Sequence, residues 1–439
     1  MKHQYLVLAV LLLLASRGQG QSVATIAAEV DAVYPQSEIL YIDLHRHPEL
    51  SLHEEQTAAK LAAGLRGLGY TVTTSVGHTG VVGILKNGDG PVVMLRTELD
   101  ALPVEEKTGL PYASTVRTKD DNGADVGVMH ACGHDIHMAS WMGTARIMAS
   151  TRNRWRGTLI LIGQPAEEGR GGAKAMLADG LFTRFPRPDY ALAVHDDARG
   201  PAGIIGYRAG AILSNANTVK ITIFGRGGHG ARPESTVDPI VIAARTVLAL
   251  QTIVSRETSP FDPAVITVGS IHGGTRPNII PSEVNLELTV RSLNDGVREH
   301  LLSAIDRITK AEAAAAGAPR EPLVMVSEGG YALVNDPALT HRVAAALLRE
   351  LGPQQVMDMP PEMASEDFSE FQRAGVPTLM LRIGAVEQAK YDAALKSGDA
   401  LPSLHSALFA PDRAPTIKAA VAAEVIALRE LMPPSAAPK

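Results

Sequence analysis

The 439-residue chain reads as an α/β protein: an α/β/α domain interrupted by an inserted ferredoxin-like βαββαβ domain. Three observations predict this. Residues 22–207 alternate short, uninterrupted apolar runs with helix-spaced stretches, as the buried central strands of a layered sheet and their crossover helices do. Between 208 and 330 the rhythm changes to half-buried strands around two helices. From 331 to 432 the first rhythm returns, so the α/β/α domain is discontinuous and the other is nested within it. The length suits two or three cores of roughly 150 residues each.

Taken in order, VATIAAEVDAVYPQSEILYIDLHRHP and EEQTAAKLAAGLRGLG have helical spacing, the second stopping at Gly67 and Gly69. TVTTSV, VVGIL and PVVMLRTEL follow as strands, then the helix MASWMGTARIMAS and the strands TLILIGQ and DYALAVH. Their polar ends, Glu98, Gln164 and His195, belong at one rim of the sheet, where open α/β sheets place their sites. In the insert, TVKITIFG, AVITVGSIHG, EVNLELTVR and EPLVMVSE are strands, and DPIVIAARTVLALQTIVSR and VREHLLSAIDRITKAEAAAA are helices. The chain closes with the helix HRVAAALLREL, the strand VPTLMLRIG and the helix APTIKAAVAAEVIALRELM.

Net charge is −6 from 41 basic and 47 acidic residues, without a long run of either sign, which argues against a nucleic-acid surface and a polybasic membrane patch. Lys2, the apolar run Tyr5 to Ala15 and the small-residue pattern Gly18-Gln19-Gly20 predict a signal peptide over residues 1–20. As a helix that run rises only about 16 Å, about half a bilayer core, so no stable membrane anchor is expected. The mature protein is expected to be exported, periplasmic or secreted. Its one cysteine, Cys132, forbids an intramolecular disulfide.

In MHACGHDIHMAS, Cys132, His134, Asp135 and His137 fall within six residues ahead of a helix. Thiolate and imidazole are ligands that zinc-like ions prefer, so a metal site is the leading reading. A helix cap with a buried cysteine, and a cysteine nucleophile, are the others. In LILIGQPAEEGRGGA, Glu167 and Glu168 directly follow an apolar strand; one could hold a metal while the other handles a proton. His195 and His405 end comparable segments and gain weight as ligands beside these groups. Gly225 to Gly230 matches the dinucleotide fingerprint, but the next helix starts only near Val237, beyond Pro233, so no helix N-terminus meets the glycines. They are better suited to presenting His229. Asn278 and Arg291, on neighbouring strands, could grip a substrate carboxylate.

Together with LHRHPELSLHEEQTA, RTELDALPVEEKTGLPYAS, SEDFSEF and LHSALF, these strings resemble the aminoacylase/carboxypeptidase family of two-metal peptidases and amidohydrolases, in its branch of hippurate and auxin-conjugate hydrolases. The matching segments run in family order from about residue 40 to 410. The resemblance implies a catalytic domain with a zinc-peptidase-like mixed sheet, and a lid domain at 208–330 that often dimerises. It implies two divalent metal ions per subunit, Zn2+ first and Mn2+, Co2+ or Ni2+ as alternatives, on Cys132, His134, Glu168, His195 and His405, with Cys132 bridging. Glu167 would be the general base, Asp100 would support the centre from below, His229 would stabilise the oxyanion, and Asn278 and Arg291 would bind the substrate carboxylate. The activity implied is hydrolysis of the amide bond of N-acyl amino acids or small peptides. The alternatives are a secreted dipeptidase or carboxypeptidase of the same mechanism, and an inactive binding protein for amino-acid conjugates. Glu98 stands where the family usually has Asp, Glu234 where it often has His, and HDDARGPAG lacks the usual H-x-x-P after His195.

Overall fold

The computed structural model describes residues 26–327 and 329–434, so the signal peptide expected at 1–20 lies outside the described residues. The chain divides into two units. Of the described residues, one takes in those up to Gly210, Asn335–Met359 and those from Phe371 onward, the other those within Ala211–Val334 and Pro360–Glu370.

The first unit is built on an eight-stranded sheet in the order Thr71–Val76, Gly80–Asn87, Gly157–Gln164, Val92–Glu98, Tyr190–Pro201, Thr378–Val386, Ile205–Tyr207, Val356–Asp358. The four strands from Gly157–Gln164 to Thr378–Val386 are parallel neighbours and bury nearly every residue, which is why they read as unbroken apolar runs. The hairpin Thr71–Val76 and Gly80–Asn87 adds on antiparallel. Parallel pairing carries the same strand ends to one rim: Glu98 lies opposite Gln164, and His195 opposite Arg382. Helices His134–Ser150 and Arg413–Leu431 bury most of their residues, and their alanines and small polar residues allow close packing.

One strand is much longer than its apolar run suggests. Tyr190–Pro201 continues past His195 because Asp196 and Asp197, which break the pattern, are buried and paired. Asp196 meets His137, and Arg199 binds Asp197 through Nε and Nη2, each at 3.1 Å.

The second unit has a four-stranded antiparallel sheet ordered Ala264–His272, Glu283–Ser292, Asn217–Phe224, Leu323–Val326. Val219, Ile221 and Ile223 alternate with Val284, Leu286, Leu288 and Val290 on its buried face. Helices Pro239–Thr252 and Asp295–Ala315 cover that face. Asp238 and Asn294 cap them, accepting from the amides of Ile240 at 2.9 Å and Gly296 at 2.7 Å. Gly225 to Gly230 contains a two-residue strand, Gly228–His229, and leads into a short turn, Pro233–Ser235, well before the helix at Pro239. With its continuation to Glu257, that helix is long and apolar enough to cross a membrane, although a third of its most apolar window is buried in this unit.

Candidate metal centre

At the rim of the first unit the chain turns from the loop ending in Cys132 and Gly133 into helix His134–Ser150. Gly133 has φ +74°, and a Cβ there would stand 2.2 Å from Asp196 Oδ2, so only glycine lets the loop pass between Cys132 and His134. His134 Nδ1 lies 2.8 Å from the carbonyl of Asp100. A carbonyl only accepts, so Nδ1 donates to it, and Nε2 is the ring nitrogen left to face a cation. That Nε2 is buried and has no hydrogen-bond partner among the described residues. His195 repeats the device: Nδ1 donates to the carbonyl of Asp196 at 2.7 Å, leaving Nε2 3.6 Å from Cys132 Sγ. His405 has φ +66° and is tied down by its own amide, which donates to Ala131 O at 2.8 Å. Its Nε2 lies 3.3 Å from Cys132 Sγ and 3.2 Å from Glu168 Oε1.

Cys132, His134 and His195 thus form one group with ligand atoms within 4.8 Å of one another, and Cys132, Glu168 and His405 a second, with Cys132 in both. The electrostatics ask for positive charge here. Burial pushes the Cys132 thiol up, and the carboxylates of Glu168, Glu167 and Asp196 push it further. Burial alone would lower His134, but its bond to Asp100 and the charges of Glu98, Asp100 and Glu168 outweigh that and take it up to about 10. A thiol, a carboxylate and three imidazoles, two of them with Nδ1 committed to a carbonyl, form a donor set that would hold divalent cations.

Glu167 sits at the turn that ends Gly157–Gln164. Its Oε2 lies 4.0 Å from His134 Nε2, and Glu168 N donates to Asp100 Oδ2 at 3.0 Å. The Glu168 carboxylate belongs to the second ligand group, and carboxylate oxygens of Glu167 and Glu168 lie within 4.8 Å of each other and of a His134 ring nitrogen.

Two of the six-residue cluster's side chains are otherwise engaged. His137 Nε2 accepts from Asp196 N at 2.9 Å and Nδ1 donates to Glu98 Oε2 at 2.9 Å. Glu98 also binds Arg96, whose Nε donates to Gln164 Oε1 at 3.0 Å. Burial works to raise the Glu98 carboxyl, and Arg96 and His137 outweigh it and hold it well below the usual carboxylate range. Asp135 is gripped by His45, 2.7 Å from Nδ1, whose Nε2 lies 3.2 Å from Glu106. Burial opposes a charge on His45, but these two carboxylates overcome it and take the ring up to about 9. Sequence reasoning missed both networks. Arg96 and Glu98, two apart on one buried strand, were the available sign of the first.

His229, Asn278 and Arg291 lie in the second unit. His229 pairs with Ile279 across a short ribbon, and its Nδ1 accepts from Ala231 N at 3.0 Å. Asn278 is beside it, its carbonyl accepting from Gly230 N at 2.9 Å. Arg291 sits on the strand Glu283–Ser292 and donates from Nη1 to Met363 O at 2.7 Å.

The pattern of Peptidase family M20/M25/M40 matches residues 94–395. The chain is 38% identical over 334 residues to the hippurate hydrolase of Campylobacter jejuni, covering 75% of this chain and 82% of that one. It is 37% identical over 333 residues to thermostable carboxypeptidase 1 of Saccharolobus solfataricus, covering 75% and 80%. Its fold matches the crystal structure of the YXEP protein of Bacillus subtilis, a dinuclear metal-binding peptidase of the M20 family, with TM-score 0.73 and 28% identity over 90% of this chain and 98% of that one. The chain belongs to peptidase family M20/M25/M40, and it is a hydrolase of the metal-dependent, amide-cleaving kind.

Proposed function

We propose that the protein hydrolyses the amide bond of N-acyl amino acids and releases the free amino acid, using two divalent cations held by Cys132, His134, Glu168, His195 and His405. The observation that carries this reading is the pair of ligand groups sharing Cys132, with the Glu167 carboxylate 4.0 Å from His134 Nε2. Cations bound there would polarise the scissile carbonyl and lower the pKa of a coordinated water from about 15.7 toward about 7. Glu167 then takes the water's proton as it attacks and passes it to the leaving nitrogen. His229 stabilises the oxyanion, and Asn278 and Arg291 select substrates with a free carboxylate on the amine side. The bond from Met363 O to Arg291 Nη1 holds the guanidinium in place for a bidentate partner. Zn2+ suits the Cys/His set best; the mixed donors also accept Mn2+, Co2+ or Ni2+.

The hippurate hydrolase relative supports the acyl amino acid as substrate, while the carboxypeptidase relative and the peptidase structure favour a second reading, a dipeptidase or carboxypeptidase of the same mechanism. A homodimer through the second unit is supported by the exposed Ile240, Val241 and Leu248 on its apolar helix and by the unpaired edge strand Ala264–His272 with exposed Ile271. Residues 2–20 support export.

The test is turnover by the purified, fully metallated protein of benzoyl, acetyl and indoleacetyl amino acids alongside dipeptides. Faster cleavage of the acyl amino acids supports the proposal, faster cleavage of dipeptides favours the second reading, and no turnover of either means a binding protein.

A further inference from the structure

The turn that carries Glu167 is strained and gripped from outside. Ala166 has φ +53°, a left-handed conformation that costs a residue with a Cβ about 1–2 kcal/mol. Gly172 N closes the turn onto Ala166 O at 3.1 Å, and a Cβ on Gly172 would stand 1.6 Å from Pro165 O. Ala166 N, fully buried, donates at 2.9 Å to Oε1 of Glu54, a residue 112 positions away. Glu54 is itself fully buried, and its other contacts fix it: Oε1 also accepts from Leu52 N at 2.9 Å, and Oε2 accepts from Thr79 Oγ1 at 2.6 Å. Three residues before Glu54, Ser51 Oγ donates to Asp100 Oδ2 at 2.6 Å, and the same oxygen accepts from Glu168 N at 3.0 Å.

The amides on either side of Glu167 are therefore both held by carboxylates anchored in one segment, Ser51 to Glu54. Glu54 takes the amide before it, and Asp100, steadied by Ser51, takes the amide after it. A left-handed Ala166 persists only where its surroundings over-determine it. The Glu54 carboxylate supplies that determination, because releasing Ala166 N would strand a buried donor.

We propose that Glu54 is a positioning residue that, with Asp100, clamps the backbone on both sides of Glu167 and so aims the Glu167 carboxylate. It does not touch substrate or cations. Its kinetic consequence rests on the reading of Glu167 as general base, while the clamp itself does not.

The test uses the full-length protein with Glu54→Leu, which keeps bulk and removes the acceptor, and Glu54→Gln, whose Oε1 can still accept from both amides. Hydrogen exchange is followed with and without metal. Glu54→Leu is expected to speed exchange of the Ala166 amide by at least about tenfold, with the amides of Gly157–Gln164 unchanged and Glu54→Gln close to the parent. In the metallated protein Glu54→Leu should lose about 100-fold in kcat with KM and metal content held, and Glu54→Gln should restore it. Should Glu54→Leu fail to fold, Glu54→Asp, which draws the carboxylate back by about 1.5 Å, takes its place with the same readouts.

Unchanged exchange at Ala166, or acceleration spread evenly through the unit, overturns the clamp. Faster exchange with unaltered kcat, or a kcat loss that follows metal loss, overturns its role in aiming Glu167. If the parent protein itself turns nothing over, the proposed function fails, and the exchange result still decides the clamp.

Discussion

Replacing Glu424 by Gln should remove the pH dependence of stability that this one buried carboxyl imposes. Glu424 lies in helix Arg413–Leu431 with 2% of its surface exposed, and its oxygens accept from Thr144 Oγ1 at 2.5 Å and Ser140 Oγ at 3.3 Å. Burial pushes its pKa up to about 8 against those two bonds, and the charge of Glu98 adds to the rise. Starting from the ordinary value of 4.5, the folded protein holds a proton between pH 4.5 and about 8 that the unfolded chain releases. Stability from this group is therefore complete below 4.5 and lost as pH rises through 8, by up to about 1.4 kcal/mol per pH unit and about 5 kcal/mol in all. Gln keeps the shape: its Oε1 can accept from Thr144 Oγ1 while its Nε2 donates to Ser140 Oγ, whose own proton goes to His137 O. Between pH 5.5 and 7.5, urea unfolding of the metal-free proteins should show Glu424→Gln gaining about 3 kcal/mol relative to the parent. The shifted His45 and His130 are common to both proteins and cancel in the difference. Parallel stability profiles over that window would refute the reasoning.

Other residues give sharper tests of the site. Cys132→Ala removes the one ligand common to both groups, so metal content after gel filtration, read by mass spectrometry, should fall clearly below that of the parent; unchanged content would deny the shared sulfur its role. Arg291→Ala should raise KM by about tenfold or more for substrates with a free carboxylate and leave amide-capped analogues almost unaffected, equal effects arguing against a carboxylate clamp. The proposed homodimer predicts a dimeric parent in light scattering that Leu248→Glu, at a side chain 72% exposed on the apolar helix, converts to monomer; a monomeric parent contradicts the dimer, and a dimer that survives the substitution places the interface elsewhere.

What the sequence made legible were features with a local period. The central strands announced themselves because both faces are buried, and the insert because Val219, Ile221 and Ile223 alternate with polar neighbours. Cys132, His134 and the glutamate pair stood out because their residue types are concentrated in short strings at strand and helix ends. The illegible parts depend on partners far apart in the chain. Tyr190–Pro201 outran its apolar run because the buried Asp196 meets His137, 59 residues earlier in the chain. Asp135 and His137 looked like ligands because the string shows their type, while the partners that engage them, His45 and Glu98, lie 90 and 39 residues away. The Glu54 contact to Ala166 left no trace in either segment, since a backbone amide carries no residue identity.

The central claim, that Glu167 moves the proton while the ligand groups hold the cations, is tested most directly by Glu167→Gln. Metal content and hydrolysis of a benzoyl amino acid are measured on the same preparation of the variant and the parent. Two cations per chain with kcat lowered by at least about 1,000-fold is the predicted result. Full metal occupancy with kcat near that of the parent would contradict it.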